Sequence, residues 1–232
     1  MNGPAPLPPE LRQLVRSDLR PVRPLAAPAR RAAVLLVWAP VAVTLVLATG
    51  PARPDAAELG WLLSWGVVLA ELVAGAGLVT LALGEAVPGR GAGRQAGLIA
   101  LAGAATLFVV LAVLVRGASA GVPVPNPLLT HGPACLTLSG LIGLTALAVV
   151  AVLIFRSNPL RASLAGLLAG AGTGLMAVGV YHLDCPVTHL AHVLVWHGGA
   201  IALLALLGLG FGLGQEFIER RRMEARLAAR NT

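Results

Sequence analysis

All the thiols and imidazoles of this 232-residue chain fall in two short stretches. His131 and Cys135 form the first. His182, Cys185, His189, His192 and His197 form the second, with Asp184 among them. Thiolate and imidazole together suit Zn²⁺, Cu⁺ and related soft ions. Two thiols can instead close into a disulfide. The pattern has no CxxC, the thioredoxin-like redox signature, and no HExxH. In a regular helix His189 and His192 lie about 60° apart, and His197 lies about 140° from His192, so the three cannot reach one ion without a bend. The minimal candidate metal site is therefore Cys135 and Cys185 with one or two of His131, His182 and His189. Three readings of the cysteines stay open: a regulated thiol or metal site for Zn, Cu or Cd, a structural disulfide, or simple packing. A bridge would close about fifty residues and stabilise by about 4 kcal/mol in the chain-entropy picture, and an oxidising compartment would permit it.

What must position these residues is a membrane bundle. The chain is 57% hydrophobic, 4% aromatic and only 12% charged, against roughly 25% charged in a soluble domain. Six apolar runs, near 32–49, 61–83, 96–115, 136–155, 162–181 and 190–212, are each long enough to cross a hydrocarbon core of about 30 Å as a helix. No run alternates apolar and polar residues as a membrane barrel strand would, and in lipid a helix satisfies its own backbone. The fold class expected is all-α, a bundle of six transmembrane helices. The first run follows some thirty polar, proline-rich residues, so it reads as a span rather than a cleavable signal.

Charge orients the bundle. Every basic residue is Arg, and fifteen of the seventeen fall before span one, between spans two and three, between spans four and five, or after span six. Arg53 and Arg116 alone fall on the other side. The positive-inside rule then places both termini in the cytoplasm, and both cysteines outside at similar depth. The Arg residues read as topology signals and anionic-lipid contacts, not as a nucleic-acid surface. Residues 1–31 form a cytoplasmic tail, 32–213 the transmembrane domain and 214–232 a polar helical tail. In the first tail, Leu11, Leu14, Val15 and Leu19 continue a stripe begun at Leu7. It suits either the membrane surface or a groove on a cytoplasmic partner.

Two further features lie inside the spans. Glu71 is a carboxylate deep in span two, where burial costs about 2.5–3.5 kcal/mol on insertion scales. It is expected protonated, or paired with a Ser, Thr or indole N–H. Gly166, Gly170 and Gly174 make two overlapping GxxxG steps, a face for close helix approach, either within the bundle or in a homodimer.

Several segments carry a resemblance. Leu164–Gly170, Val180-Tyr181-His182-Leu183-Asp184-Cys185-Pro186 and Trp196-His197-Gly198 resemble the NrsF-like membrane anti-sigma factors, the negative regulators of sigma-F. So do the segment around Cys135, Val87–Arg90 and Leu19–Leu25. The resemblance implies a six-span inner-membrane protein that holds an extracytoplasmic-function (ECF) sigma factor at the bilayer, and not an enzyme. It implies that Cys135 and Cys185 sense heavy-metal or redox stress, and that sigma docks on residues 1–31. Asp184 stands where many members have His, and the C-terminal tail runs past the usual end. The residues alone also admit a membrane thiol-redox or metal-handling protein, or a b-type haem protein with axial histidines.

Overall fold

The computed structural model describes residues 8–18, 25–50, 52–119, 123, 125–126, 128–157, 159 and 161–230. The side chains of residues 14–16, 18 and 230 lie outside that description. Among the described residues the elements are helices: α1 (Pro9–Asp18), α2 (Pro28–Ala32), α3 (Leu35–Thr49), α4 (Ala56–Glu85), α5 (Arg94–Ala118), α6 (Gly132–Phe155), α7 (Ala162–Tyr181), α8 (Leu190–His192), a π-helical turn (Val193–His197) and α9 (Gly198–Arg230). Six helical stretches are long and apolar enough to cross a membrane, with α2–α3 forming one and α8–α9 another.

The apolar runs become helices with bounds set by local breakers. Span one breaks at Ala33–Val34, and Pro40 stays inside α3. Lipid-embedded helices tolerate proline because neighbours re-satisfy the freed carbonyl. Span two begins regularly only after Gly60, whose φ of 68° interrupts α4, a conformation that suits residues lacking a Cβ. The C-terminal polar helix continues the last span, α9 running unbroken through residues 213 and 214.

The centre of the bundle is α7, buried along nearly its whole length. Its glycines make that possible. A Cβ on Gly170 would stand 2.1 Å from the Leu204 carbonyl oxygen, and one on Gly166 would stand 2.0 Å from that of Gly208. On the opposite side, Gly172 and Gly75 bring α7 and α4 together in the same way. The overlapping GxxxG face is thus used inside the bundle. Close backbone approach replaces the water-driven attraction that helices lack in lipid.

Polar contacts mark the two ends. At the end away from the cysteines, the Glu85 carboxylate accepts from Gly93 N–H at 2.6 Å and pairs with Arg161 at 3.5 Å. Arg31 donates to Ser157 Oγ at 2.6 Å and to the Leu153 carbonyl. Glu216 of α9 accepts from both the backbone N–H and the hydroxyl of Ser163, each at 2.8 Å. It thereby satisfies an orphan donor at the start of α7.

Candidate metal centre

The cysteine end is built by three chain segments. Cys135 sits in the first turn of α6, its N–H bonded to the His131 carbonyl at 2.9 Å. Past α7 the chain turns tightly. The N–H groups of Asp184 and Cys185 both bond the Tyr181 carbonyl, at 3.0 and 3.1 Å, and fold Cys185 back over the helix end. The two sulfurs lie 3.6 Å apart and both thiols are free. Cys185 Sγ is also 3.6 Å from His192 Nε2.

The third segment is the π turn. Its i→i+5 bonding inserts an extra residue per turn and carries residues five apart onto one face. His192 and His197 consequently point to one place, which a regular α-helix forbids. Cys135, Cys185, His192 and His197 offer ligand atoms all within 4.8 Å of one another, and all four residues are buried. The His197 ring is fully buried, with neither nitrogen hydrogen-bonded. The Cys185 thiol interacts with this ring, and an imidazole so far from water is costly unless fully partnered, a need that a metal ion would fill. The donor set is that of a tetrahedral soft-metal site.

The structure brings together only part of the set predicted from spacing. Cys135 and Cys185 meet. His131 and His189 are exposed and stand outside the cluster, because the αL conformation of His131 and the extended backbone of His189 belong to loop ends. His182 turns instead to Glu71, its Nδ1 3.0 Å from the carboxylate. Glu71 therefore meets a histidine 111 residues away, rather than the Ser, Thr or indole expected as its partner were it not protonated. Burial pushes the His182 imidazole down, but the charge and hydrogen bond of Glu71 more than reverse this, and its pKa is raised. The Cys185 thiol is pushed down, chiefly by the hydrogen bond from Cys135 and, against burial, with help from His192. Leu11 is exposed on α1, while the side chains of Leu14 and Val15 and all of Leu19 lie outside the described residues.

Spacing missed His192 and His197. Local signs were slight: β-branched Val193 and Val195, and the Gly198-Gly199 pair beyond. It also missed what steadies the ligand loop. Arg53 makes two bonds to Asp55, at 2.7 and 2.8 Å, and donates to the His182 carbonyl at 3.3 Å. Its backbone N–H bonds the Leu183 carbonyl at 3.0 Å. Ser119 donates to Asp55 at 2.9 Å, and Thr188 donates to the Ser119 carbonyl at 3.4 Å. The loops before α4, after α5 and after α7 are thus tied into one assembly around an ion pair almost removed from solvent.

Fold and site together define a helical bundle with six stretches long and apolar enough to cross a membrane and a buried Cys2His2 cluster at one end. The chain matches the family NrsF, negative regulator of sigma F, over residues 15–214, and it belongs to that family. No curated protein and no solved structure matches it.

Proposed function

We propose that the protein is a bacterial inner-membrane anti-sigma factor, with both termini cytoplasmic. It holds an ECF sigma factor and releases it when Cys135 and Cys185 meet a soft metal or an oxidant. Membership of the sigma-regulating family supports the partner. The observation that carries the sensing role is the free pair of buried thiols 3.6 Å apart, one from α6 and one from the turn after α7, beside two buried histidines. Chemistry at the pair changes how the ends of α6, α7 and α9 sit together. Because α7 and α9 touch backbone to backbone along their length, such a change carries to the opposite end, where the N-terminal segment enters the membrane. A tenfold change in free sigma needs about 1.4 kcal/mol of differential affinity between the two arrangements, modest for a metal–thiolate bond. The switch acts by binding, without catalysis.

Tagged full-length chain captured from unstressed cells, followed by mass spectrometry, is expected to bring down one sigma factor. Leu11→Asp is expected to lose it while the chain still inserts. Cys135→Ser and Cys185→Ser are each expected to keep sigma bound and to abolish release by cadmium or oxidant. Capture of no sigma factor by the intact chain would refute the reading.

A further inference from the structure

We propose that Cys135, Cys185, His192 and His197 hold a resident Zn²⁺ in the unstressed protein, and that losing or exchanging this ion is the event the protein reads. The inference rests on the sensing role proposed above and adds the ion and two ligands to it.

The distances carry the argument. Zn–S bonds of about 2.3 Å in a tetrahedron set the sulfurs about 3.8 Å apart, and a Zn–N bond of about 2.05 Å sets sulfur and nitrogen about 3.6 Å apart. The cluster shows 3.6 Å between the sulfurs and 3.6 Å between Cys185 Sγ and His192 Nε2, and all four ligand atoms lie within 4.8 Å of one another, so the widest separation closes by about 1 Å when an ion is held. A disulfide would instead require the sulfurs at about 2.05 Å. Two thiolates balance the charge of a divalent ion, so the loaded site places no net charge in the protein interior. Tetrahedral N2S2 coordination favours Zn²⁺ among available ions. All four ligands are protein side chains and all are buried, as in closed structural zinc sites rather than catalytic ones. The π turn has a role in this reading, because it is what brings His197 to the ion, where one of its two unbonded nitrogens would be satisfied.

One resident ion lets two stresses act at one place. A small cavity of 20 Å³, room for about one water, reaches Cys185 between His182, Arg53 and Val67. It suits a water-sized oxidant of the peroxide class. The Cys185 thiolate would attack the O–O bond, giving a sulfenic acid and hydroxide. The Cys135 thiolate would then displace a second hydroxide and form the S–S bond. Two electrons pass from the sulfurs to the peroxide, and Zn²⁺ leaves because its thiolates are gone. A softer divalent ion acts without electron transfer, replacing Zn²⁺ on the same four ligands.

The test uses the full chain in detergent, purified from unstressed cells grown with zinc. Metal analysis is expected to find about one zinc per chain. After chelation, Co²⁺ is expected to give the visible bands of a tetrahedral thiolate site, and peroxide added to the zinc form is expected to release zinc as thiols vanish. His197→Ala should weaken cobalt binding by more than the roughly 10–100-fold that loss of an outer-shell partner costs. His197→Cys should restore binding with a stronger thiolate band, which separates a lost ligand from a misfolded chain. His131→Ala should leave the spectrum unchanged. A zinc-free chain that gives no cobalt spectrum, or a spectrum lost in His131→Ala but kept in His197→Ala, overturns the proposal. Sigma capture on the same samples separates the two readings: sigma bound to a chain that takes no metal sinks the ion alone, and a zinc-loaded chain without sigma sinks the anti-sigma reading alone.

Discussion

Replacing Arg53 by Gln isolates the ion pair that fastens the ligand loop. The guanidinium is 8% exposed and Asp55 is 5% exposed, so the substitution leaves a carboxylate stranded away from water. Removing one member of a buried pair costs about 3–5 kcal/mol. Asp55 keeps its bond from Ser119 at 2.9 Å, which argues for the lower end, near about 3 kcal/mol. At about 2–4 °C per kcal/mol for a chain of this size, the melting temperature should fall by roughly 6–12 °C. Arg53 also donates to the His182 carbonyl, so the turn carrying Cys185 should loosen and the thiol should react faster with a maleimide. Arg53→Met combined with Asp55→Leu removes the stranded charge and should recover most of the loss, since apolar replacement of a whole buried pair is often neutral. Thermal unfolding followed by circular dichroism in detergent at pH 7, with labelling rates measured beside it, reads both effects. A single variant that melts within about 2 °C of the parent, with unchanged Cys185 labelling, would show that the pair does not hold the loop.

The same pair sets an acid limit. Burial pushes the Asp55 carboxyl up, but the hydrogen bond and charge of Arg53 and the Ser119 bond outweigh it, so its pKa lies below the usual carboxylate value. Its contribution is therefore complete above about pH 4 and lost as pH falls through the lowered folded-state value. A melting series from pH 7 down to pH 3 should show that loss in the parent, and Arg53→Gln should flatten it. At the α7–α9 contact, Gly170→Leu drives a side chain into backbone, with the Leu204 carbonyl carbon 2.7 Å from the new Cβ. Overpacking of this kind costs about 1–3 kcal/mol or more, to be seen as a lowered melting temperature. Gly77→Leu, which meets nothing within 4 Å, should melt like the parent.

The bundle was legible because each span is a long aliphatic run, and lipid leaves a helix as the way for such a run to satisfy its backbone. Residues 162–181 coincide with α7, bounded by Arg161 on one side and the His182 turn on the other. The meeting of the cysteines was legible from parity, since an antiparallel pair of spans returns the chain to one depth. The pairing of Glu71 with His182 was not, because 111 residues separate them and no local pattern encodes which side chain a buried carboxylate meets.

The two histidines of the cluster were hidden for a related reason. Periodicity assumes one helical register, and Leu190–His197 leaves that register for a long-range cause. Trp196 donates its indole N–H to the Leu128 carbonyl at 2.6 Å, and its ring lies where a Cβ on Gly132 would stand only 2.1 Å from the indole nitrogen. Only a residue without a side chain at the start of α6 admits that ring. With Trp196 seated against α6, the turn between His192 and His197 is pinned from outside, and its extra residue aims both imidazoles at the sulfurs. The element that completes the Cys2His2 cluster is thus specified by a glycine more than sixty residues upstream. The same seat joins the π turn that leads into α9 to α6 at the cysteine end, as Glu216 and Ser163 join α9 to α7 at the other. Between the Trp196 seat and Glu216 a continuous helical stretch spans the distance from the cluster to the opposite face.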